Sequence, residues 1–314
     1  MNICKEEYKS KLDMAVTLGK FDGIHLGHSE LLKELKKQKE KGNSTLLFTF
    51  SKSPQAYLGK KEEEYIFSKE EKLDFFRQLS WLDYYYEVPV SDEFLLLEPE
   101  DFVKRYLVDK FKVRQIIVGE DFRFGHKKKG NVSLLKTLGK TYHYELTVIK
   151  KIKQQEQDIS STEIRRILEK GEMKKAEEIL GHPFYLIGTV QHGRNLASKL
   201  GFPTANVEYP SEKIKIPFGV YLTRIEVEGK ILNGITNVGT KPTVTQETKI
   251  LAESFLFDFE QELYGKKIKI YFDDFLRTER KFDSIEALKS QIQQDVAKAK
   301  KMKSKKVLKV KEEK

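Results

Sequence analysis

The 314-residue sequence holds one cysteine, Cys4, one tryptophan and only six histidines. A single cysteine excludes an intramolecular disulfide and any multi-cysteine metal site. No apolar run approaches the roughly 20 residues that a membrane-spanning helix needs. The opening residues, MNICKEEYKS, lack the cationic-then-apolar build of a secretory signal, so a cytoplasmic protein is expected. At this length the chain can bury two cores and form two domains.

A balanced charge is also missing, since the formal net charge is +10. Its distribution argues against a nucleic-acid groove. Residues 297–314, AKAKKMKSKKVLKVKEEK, carry nine lysines and two glutamates, a net of +7, which leaves +3 for the other 296. A nucleic-acid interface needs a basic stripe on folded structure. The lysine-rich segment reads as a disordered, solvated extension.

What is present is an ordered change of pattern. Up to about residue 180, strand-like runs (MAVTLG, TLLFTF, YYYEVPV, RQIIVG, YHYELTVI) alternate with helix-like ones such as SELLKELKKQKEK and SKEEKLDFFRQL. Alternation of this kind implies a parallel α/β sheet, whose ligands bind at the carboxyl ends of the strands. Two short helices, ending at Gly181, close that half. From Phe184 to Phe275 the runs FYLIGTVQ, GVYLTRIEVEG, KILNGITNVG, ILAESFLFDF and KKIKIYFDDFL follow with no helix between them, as in an antiparallel sheet or closed barrel. A helix, DSIEALKSQIQQDVAKAKK, comes last. The expected division is 1–181, 182–296 and the tail 297–314.

Two of the six histidines stand together in GKFDGIHLGH, with Gly19, Gly23 and Gly27. The segment runs from a strand into a helix. Glycines let backbone approach a ligand, and a helix N-terminus offers N–H groups to an anion. His25 and His28 add directed donors, so a phosphate site is the favoured reading. A tight turn with a capping histidine, or a metal pair, are the others. In ISSTEIRR, Ser160 and Glu163 fit a capping box. Ser161, Thr162 and Arg165 would equally suit a polyphosphate. In VGEDFRFGHKKKGN, Phe122 and Phe124 can stack on a flat ring or simply pack.

In the second half, GTVQHGRNLASKLGFPTANV supplies a loop shaped by Gly193, Gly201 and Pro203. Thr204 and Asn206, two apart on an extended segment, share a face and offer neutral hard oxygens of the kind Mg²⁺ accepts. Further on, alternation places Glu253, Phe255, Phe257 and Phe259 on one face of a strand and Asp258 on the other.

Taken together, GKFDGIHLGH, VGEDFRFG and ISSTEIR resemble the His-x-Gly-His nucleotidyltransferases, and more closely the FAD synthetase module of the bacterial bifunctional riboflavin kinase/FAD synthetase family. PTANV, PFGVYLTRIEV, GITNVGTKPTV, AESFLFDFEQELYGKKIKIYF and FLRTERKFDSIEALKSQI resemble its riboflavin kinase module, in order. The resemblance implies a Rossmann-like nucleotidyltransferase domain followed by an antiparallel β-barrel with a C-terminal helix. It implies ATP-dependent phosphorylation of riboflavin to FMN and adenylylation of FMN to FAD, with Mg²⁺. The partners are then small molecules, with neither membrane nor nucleic acid among them.

For the adenylyltransferase it implies His25 and His28 at the reacting phosphate, with Gly19, Phe21, Asp22, Gly23, Gly27, Ser160, Ser161, Thr162 and Arg165 around ATP, and Asp121, Phe122 and Phe124 at the flavin. For the kinase it implies Gly193, Lys199, Gly201, Pro203 and Thr204 at ATP, and Thr204 and Asn206 on the metal. Glu253 is then the catalytic acid–base group, and Asn237 and Arg277 lie at the flavin. The sequence departs from the family in TFSKSP, where Ser51 and Lys52 replace an acidic residue and a proline. Lys20 stands where many members have asparagine, and Ala197–Ser198 where many have Gly-Arg. The first departure leaves open a chain that works as a kinase alone; a nucleic-acid-binding protein using the basic tail is a third reading.

Overall fold

In the computed structural model all residues are described except 53, 58, 60–63, 155–156, 193–201, 243–247, 260 and 313–314; for 54–55, 153–154, 157–158, 241–242, 248 and 303–312 the backbone alone is described. The chain divides into two compact units, Met1–Ser161 and Thr162–Lys314.

The strands of the first unit are β1 (Asn2–Ile3), β2 (Met14–Leu18), β3 (Ser44–Phe50), β4 (Tyr84–Val88), β5 (Val113–Gly119) and β6 (Glu145–Ile149). They form one sheet in the order β1-β4-β3-β2-β5-β6, every neighbouring pair parallel. Every side chain of β2 is buried, as expected of a central strand covered on both faces. The helices are α1 (Leu26–Glu40), α2 (Pro54–Tyr57), α3 (Lys69–Arg77), α4 (Asp92–Leu96), α5 (Pro99–Phe102) and α6 (Val132–Tyr142). α1 buries Leu31, Leu32 and Leu35 on one stripe. α3 starts at a capping box, Ser68 with Glu71. α5 runs on directly into a π-helical stretch at Val103–Lys110.

From β2 the chain steps outward through β3 to β4, then returns to the far side of β2 as β5. The order reverses between β2 and β5, so ligands belong at the carboxyl ends of those two strands. The loops found there, Gly19–His25 and Glu120–Phe124, both carry motifs singled out from the sequence. A minor hairpin, β7 (Lys153–Gln154) and β8 (Gln157–Asp158), follows.

Helices α7 (Ser161–Glu169) and α8 (Met173–Leu180) come next, and α8 ends at Gly181 with φ +80°, the left-handed cap expected there. The structure groups all of this pair beyond Ser161 with the second unit, twenty residues ahead of the Gly181 boundary. The second sheet contains β9 (Phe184–Thr189), β10 (Thr204–Glu208), β11 (Gly219–Val227), β12 (Lys230–Pro242), β13 (Thr248–Leu256) and β14 (Lys267–Thr278). Its order is β10-β13-β12-β11-β14-β9, antiparallel throughout. The two edge strands meet: Gln191 N–H donates to Asn206 O (2.8 Å), and a Cβ at Gly188 would stand 2.3 Å from Val207 Cγ1. The sheet is therefore curled into a barrel, with a register shift in β14 sharpening the bend.

The C-terminal helix runs Ile285–Glu312. The helix extends into residues 297–312, the segment expected to be a solvated extension. Ala299 is fully buried with Val220, Leu222, Ile235, Phe257 and Leu276, and Val296 and Met302 pack beside it. Lys298 Nζ donates to Leu276 O (2.9 Å). Ala299, with Val296 and Met302 beside it, supplies the apolar contacts while long lysine stems reach past it. Deleting residues 297–314 is accordingly expected to cost the second unit roughly 1–3 kcal/mol of packing and so to lower its melting midpoint. Calorimetry checks this, and an unchanged midpoint would restore the solvated-tail reading.

Candidate active sites

The loop between β2 and α1 is unusual in its backbone. Phe21, Gly23 and Ile24 have φ of +50°, +78° and +48°. Two non-glycine residues in the left-handed region cost on the order of 1 kcal/mol each or more. Full burial of the Phe21 and Ile24 side chains offsets that. At Gly23 a side chain would meet Ile66 at 2.9 Å. Asp22 is buried, and its Oδ1 accepts from the backbone of Ile66 (2.8 Å) and Phe67 (3.4 Å). The carboxylate so engaged ties the loop to the segment before α3. Ser161 Oγ donates to Asp22 O (3.0 Å), bringing the start of α7 to the same loop.

This bracing delivers the two histidines to the tip of α1. His25 is the N-cap, extended at φ −69°, ψ 173°, and forms no capping bond to the first turn. Its ring stacks on His28 instead, centroids 3.9 Å apart and 21° between planes, and His28 lies 5.0 Å from the Phe21 ring. Beside these rings, Cβ atoms at Gly27 and Gly19 would stand 3.1 Å from His25 and Phe21. His28 Nδ1 is buried with no hydrogen-bond partner among the described residues. Burial first, then His25 and Lys72, holds the His28 imidazole well below its ordinary pKa, so it is neutral near pH 7.

Lys72 was not singled out from the sequence. It lies on the buried stripe of α3, one turn before Phe76, and its Nζ sits 3.5 Å from Lys20 O and 3.8 Å from Glu87 Oε1. Burial lowers its pKa, while Glu87 and Asp22 pull the other way. Its place four residues before Phe76, on the same face of the helix, was the available signal.

Other expected residues fall out differently. Phe124 belongs to the hydrophobic core, against Phe102 and Gly130, whereas Phe122 is half-buried and stacks on Phe124 at 5.7 Å and 17°. Asp121 is exposed and pairs with Lys151 (3.3 Å). Ser160 precedes α7; Thr162 and Arg165 belong to the second unit. Ser51 is exposed and its Oγ accepts from Val90 N–H (3.2 Å); Lys52 is exposed as well.

In the barrel, register does the assembling. Asn206 on β10 pairs with Glu253 on β13, which pairs with Asn237 on β12. Directly opposed residues share a face with Cβ atoms about 4.5–5.5 Å apart. The row continues through Val220 to Arg277, and Thr204 and Phe255 form the next rung. Three separate sequence motifs thereby reach one surface. Asn206 is buried and its Oδ1 has no partner among the described residues, while Nδ2 donates to Thr204 O (3.3 Å).

Arg277 sits on this row with its guanidinium engaged. Nε and Nη2 hold both oxygens of buried Asp295 on the C-terminal helix (3.0 and 2.7 Å), and Nη1 donates to Thr278 O (2.9 Å). Gln291 supports Asp295 from the same helix (2.8 Å). The expected run of four alternating positions is shorter than foreseen. β13 ends at Leu256, and Asp258 turns at φ +56°, so Phe257 and Phe259 lie past the strand that carries Glu253 and Phe255. Pro203 is exposed; Gly193, Lys199 and Gly201 lie outside the described residues.

Two family models match this chain, FAD synthetase over residues 7–163 and riboflavin kinase over 180–303. The protein of Bacillus subtilis named bifunctional riboflavin kinase/FMN adenylyltransferase is 36% identical over 94% of this chain and 93% of its own length. That of Escherichia coli K12, named likewise, is 34% identical over 89% and 90%. The chain belongs to the bifunctional riboflavin kinase/FMN adenylyltransferase family. Both domains are those of enzymes. A crystal structure described as a macrolide-efflux protein from Streptococcus pneumoniae shares 27% identity and a TM-score of 0.83, covering 95% of this chain and 98% of that one. Among the described residues no helix is long and apolar enough to cross a membrane.

Proposed function

We propose that this chain makes FMN from riboflavin and ATP in its second unit, and FAD from FMN and ATP in its first. The register that brings Asn206, Glu253 and Asn237 onto one row carries the kinase assignment. Riboflavin's 5′-hydroxyl is a weak nucleophile at neutral pH. Glu253 takes its proton as the oxygen attacks the γ-phosphorus of ATP, the bond to the β-phosphate oxygen breaks, and ADP leaves. Thr204 and Asn206 would hold Mg²⁺, and the orphaned, buried Asn206 Oδ1 is the kind of oxygen that suits it. Bound there with ATP, the ion neutralises phosphate charge.

In the first unit a phosphate oxygen of FMN attacks the α-phosphorus of ATP, and pyrophosphate leaves. The nucleophile is already an anion, so alignment and charge stabilisation suffice. The free N–H groups of the first turn of α1 and the ring N–H groups of His25 and of neutral His28 provide them. Ser51 and Lys52, in place of the family's acidic residue and proline, favour the second reading, a kinase whose adenylyltransferase is idle. The setting in this proposal is the cytoplasm. Incubation with riboflavin, ATP and Mg²⁺, with flavins separated by chromatography, tests all of it. FAD is the expected product; FMN alone selects the second reading, and unchanged riboflavin overturns both.

A further inference from the structure

Glu279 follows β14 and is exposed, yet its carboxylate lies directly on β12. Asn237 Nδ2 donates to Glu279 Oε1 at 3.0 Å. A Cβ at Gly239 would stand 1.9 Å from that oxygen and 2.5 Å from Cδ, so only glycine leaves the acid this seat. Asn237 and Gly239 are two apart on one strand and share the face that carries Glu253.

We infer that Glu279 is a positioning residue that sets the kinase site's preference for a hydroxyl over a phosphate. A carboxylate only accepts hydrogen bonds, so the amide of Asn237 must turn its NH₂ end towards Glu279. Oδ1 is then the end left for the substrate. Beside it in register stands the Glu253 carboxylate, a second acceptor. Two acceptors side by side match a group that donates, as the hydroxyls of riboflavin do. They oppose the acceptor oxygens of a phosphate, as in FMN, and so assist product release. The inference rests on the proposed kinase reaction and adds to it a reason why product does not outcompete substrate.

The test is Glu279→Gln, an isosteric change at an exposed position. A glutamine amide can donate to Asn237 Oδ1, which lets Asn237 turn and offer its NH₂ group to the site. Initial rates of riboflavin disappearance in the full-length protein, with Mg²⁺-ATP and a series of added FMN concentrations, give KM for riboflavin and the inhibition constant for FMN at the kinase site. Initial rates are read before the first unit can consume an appreciable share of the added FMN. The expected result is a KM raised about three- to tenfold, the effect of one misdirected hydrogen bond, with the FMN constant unchanged or lowered. Glu279→Asp, which keeps an acceptor, should retain the parent's ratio of the two constants. Equal changes in both constants, no change, or an Asp variant that behaves like Gln would each overturn the inference. A parent protein that leaves riboflavin untouched would instead overturn the kinase reading beneath it.

Discussion

Replacing Glu253 with alanine is expected to slow riboflavin phosphorylation by about 10²–10⁴-fold, the usual contribution of a positioned general base. Conversion of supplied FMN to FAD should stay within twofold of the parent. The argument is positional. Glu253 is half-buried on β13 between Asn206 and Asn237, in the middle strand of three, with buried Ala252 and Ser254 turned to the other face. Removing its carboxylate takes away the group that accepts the hydroxyl proton, while the backbone pairing that holds its neighbours stays. Because the loss concerns the chemical step, it should fall on kcat more than on KM for riboflavin. Glu253→Gln, which keeps the shape and loses the basicity, should be nearly as slow. Separate assays of the two half-reactions decide the matter. A kinase rate within tenfold of the parent in both variants would remove Glu253 from the proton path. Parallel loss of adenylylation, with unchanged melting, would contradict independent sites.

How much of this was legible beforehand depends on the range over which each feature is determined. The five longer strands of the parallel sheet stood out as β-branched and aromatic runs, and β9 and β11–β14 in the barrel likewise, because a buried strand declares itself within a few residues. β1 did not: Asn2–Ile3 is two residues pinned on the edge by β4. The meeting of Asn206, Glu253 and Asn237 could be supposed only through the family resemblance, since which residue stands opposite which across strands is a tertiary fact. Arg277 shows the limit of motif reading. Its place near the kinase row was expected, but not its bidentate grip on Asp295, because nothing near position 295 marks that aspartate from an ordinary helix-surface acid. The packing at the start of the lysine-rich segment was illegible for a related reason. Composition averages over a segment, whereas docking there turns on Ala299 and Met302 meeting one apolar patch. Phe124 illustrates the same point in miniature, since an aromatic in a glycine-rich loop can face ligand or core, and here Gly130 and Phe102 enclose it.

The second large effect is expected at His28. His28→Ala should reduce FAD formation from supplied FMN by about 10²–10³-fold, the range seen when one donor to a developing charge is removed, and leave riboflavin phosphorylation intact. The ring is held by His25 on one side and Phe21 on the other, and its Nδ1 has no partner among the described residues, so the imidazole is oriented with bonding capacity to give. Its depressed pKa also fixes a sign. The unfolded imidazole takes up a proton near pH 6.5, whereas the folded one stays neutral to a lower pH. Protons are therefore bound preferentially by the unfolded chain below about pH 6.5. Folding stability from this residue is unaffected above that value and falls as the pH drops towards the folded pKa. His28→Ala should flatten that part of the stability-against-pH curve of the first unit. On the catalytic side, a neutral donor predicts no gain in adenylylation as the pH is lowered from 8 to 6.5. A rate that rises on acidification in the parent, and loses that rise in His28→Ala, would show that an imidazolium does the work and would overturn the neutral-donor mechanism.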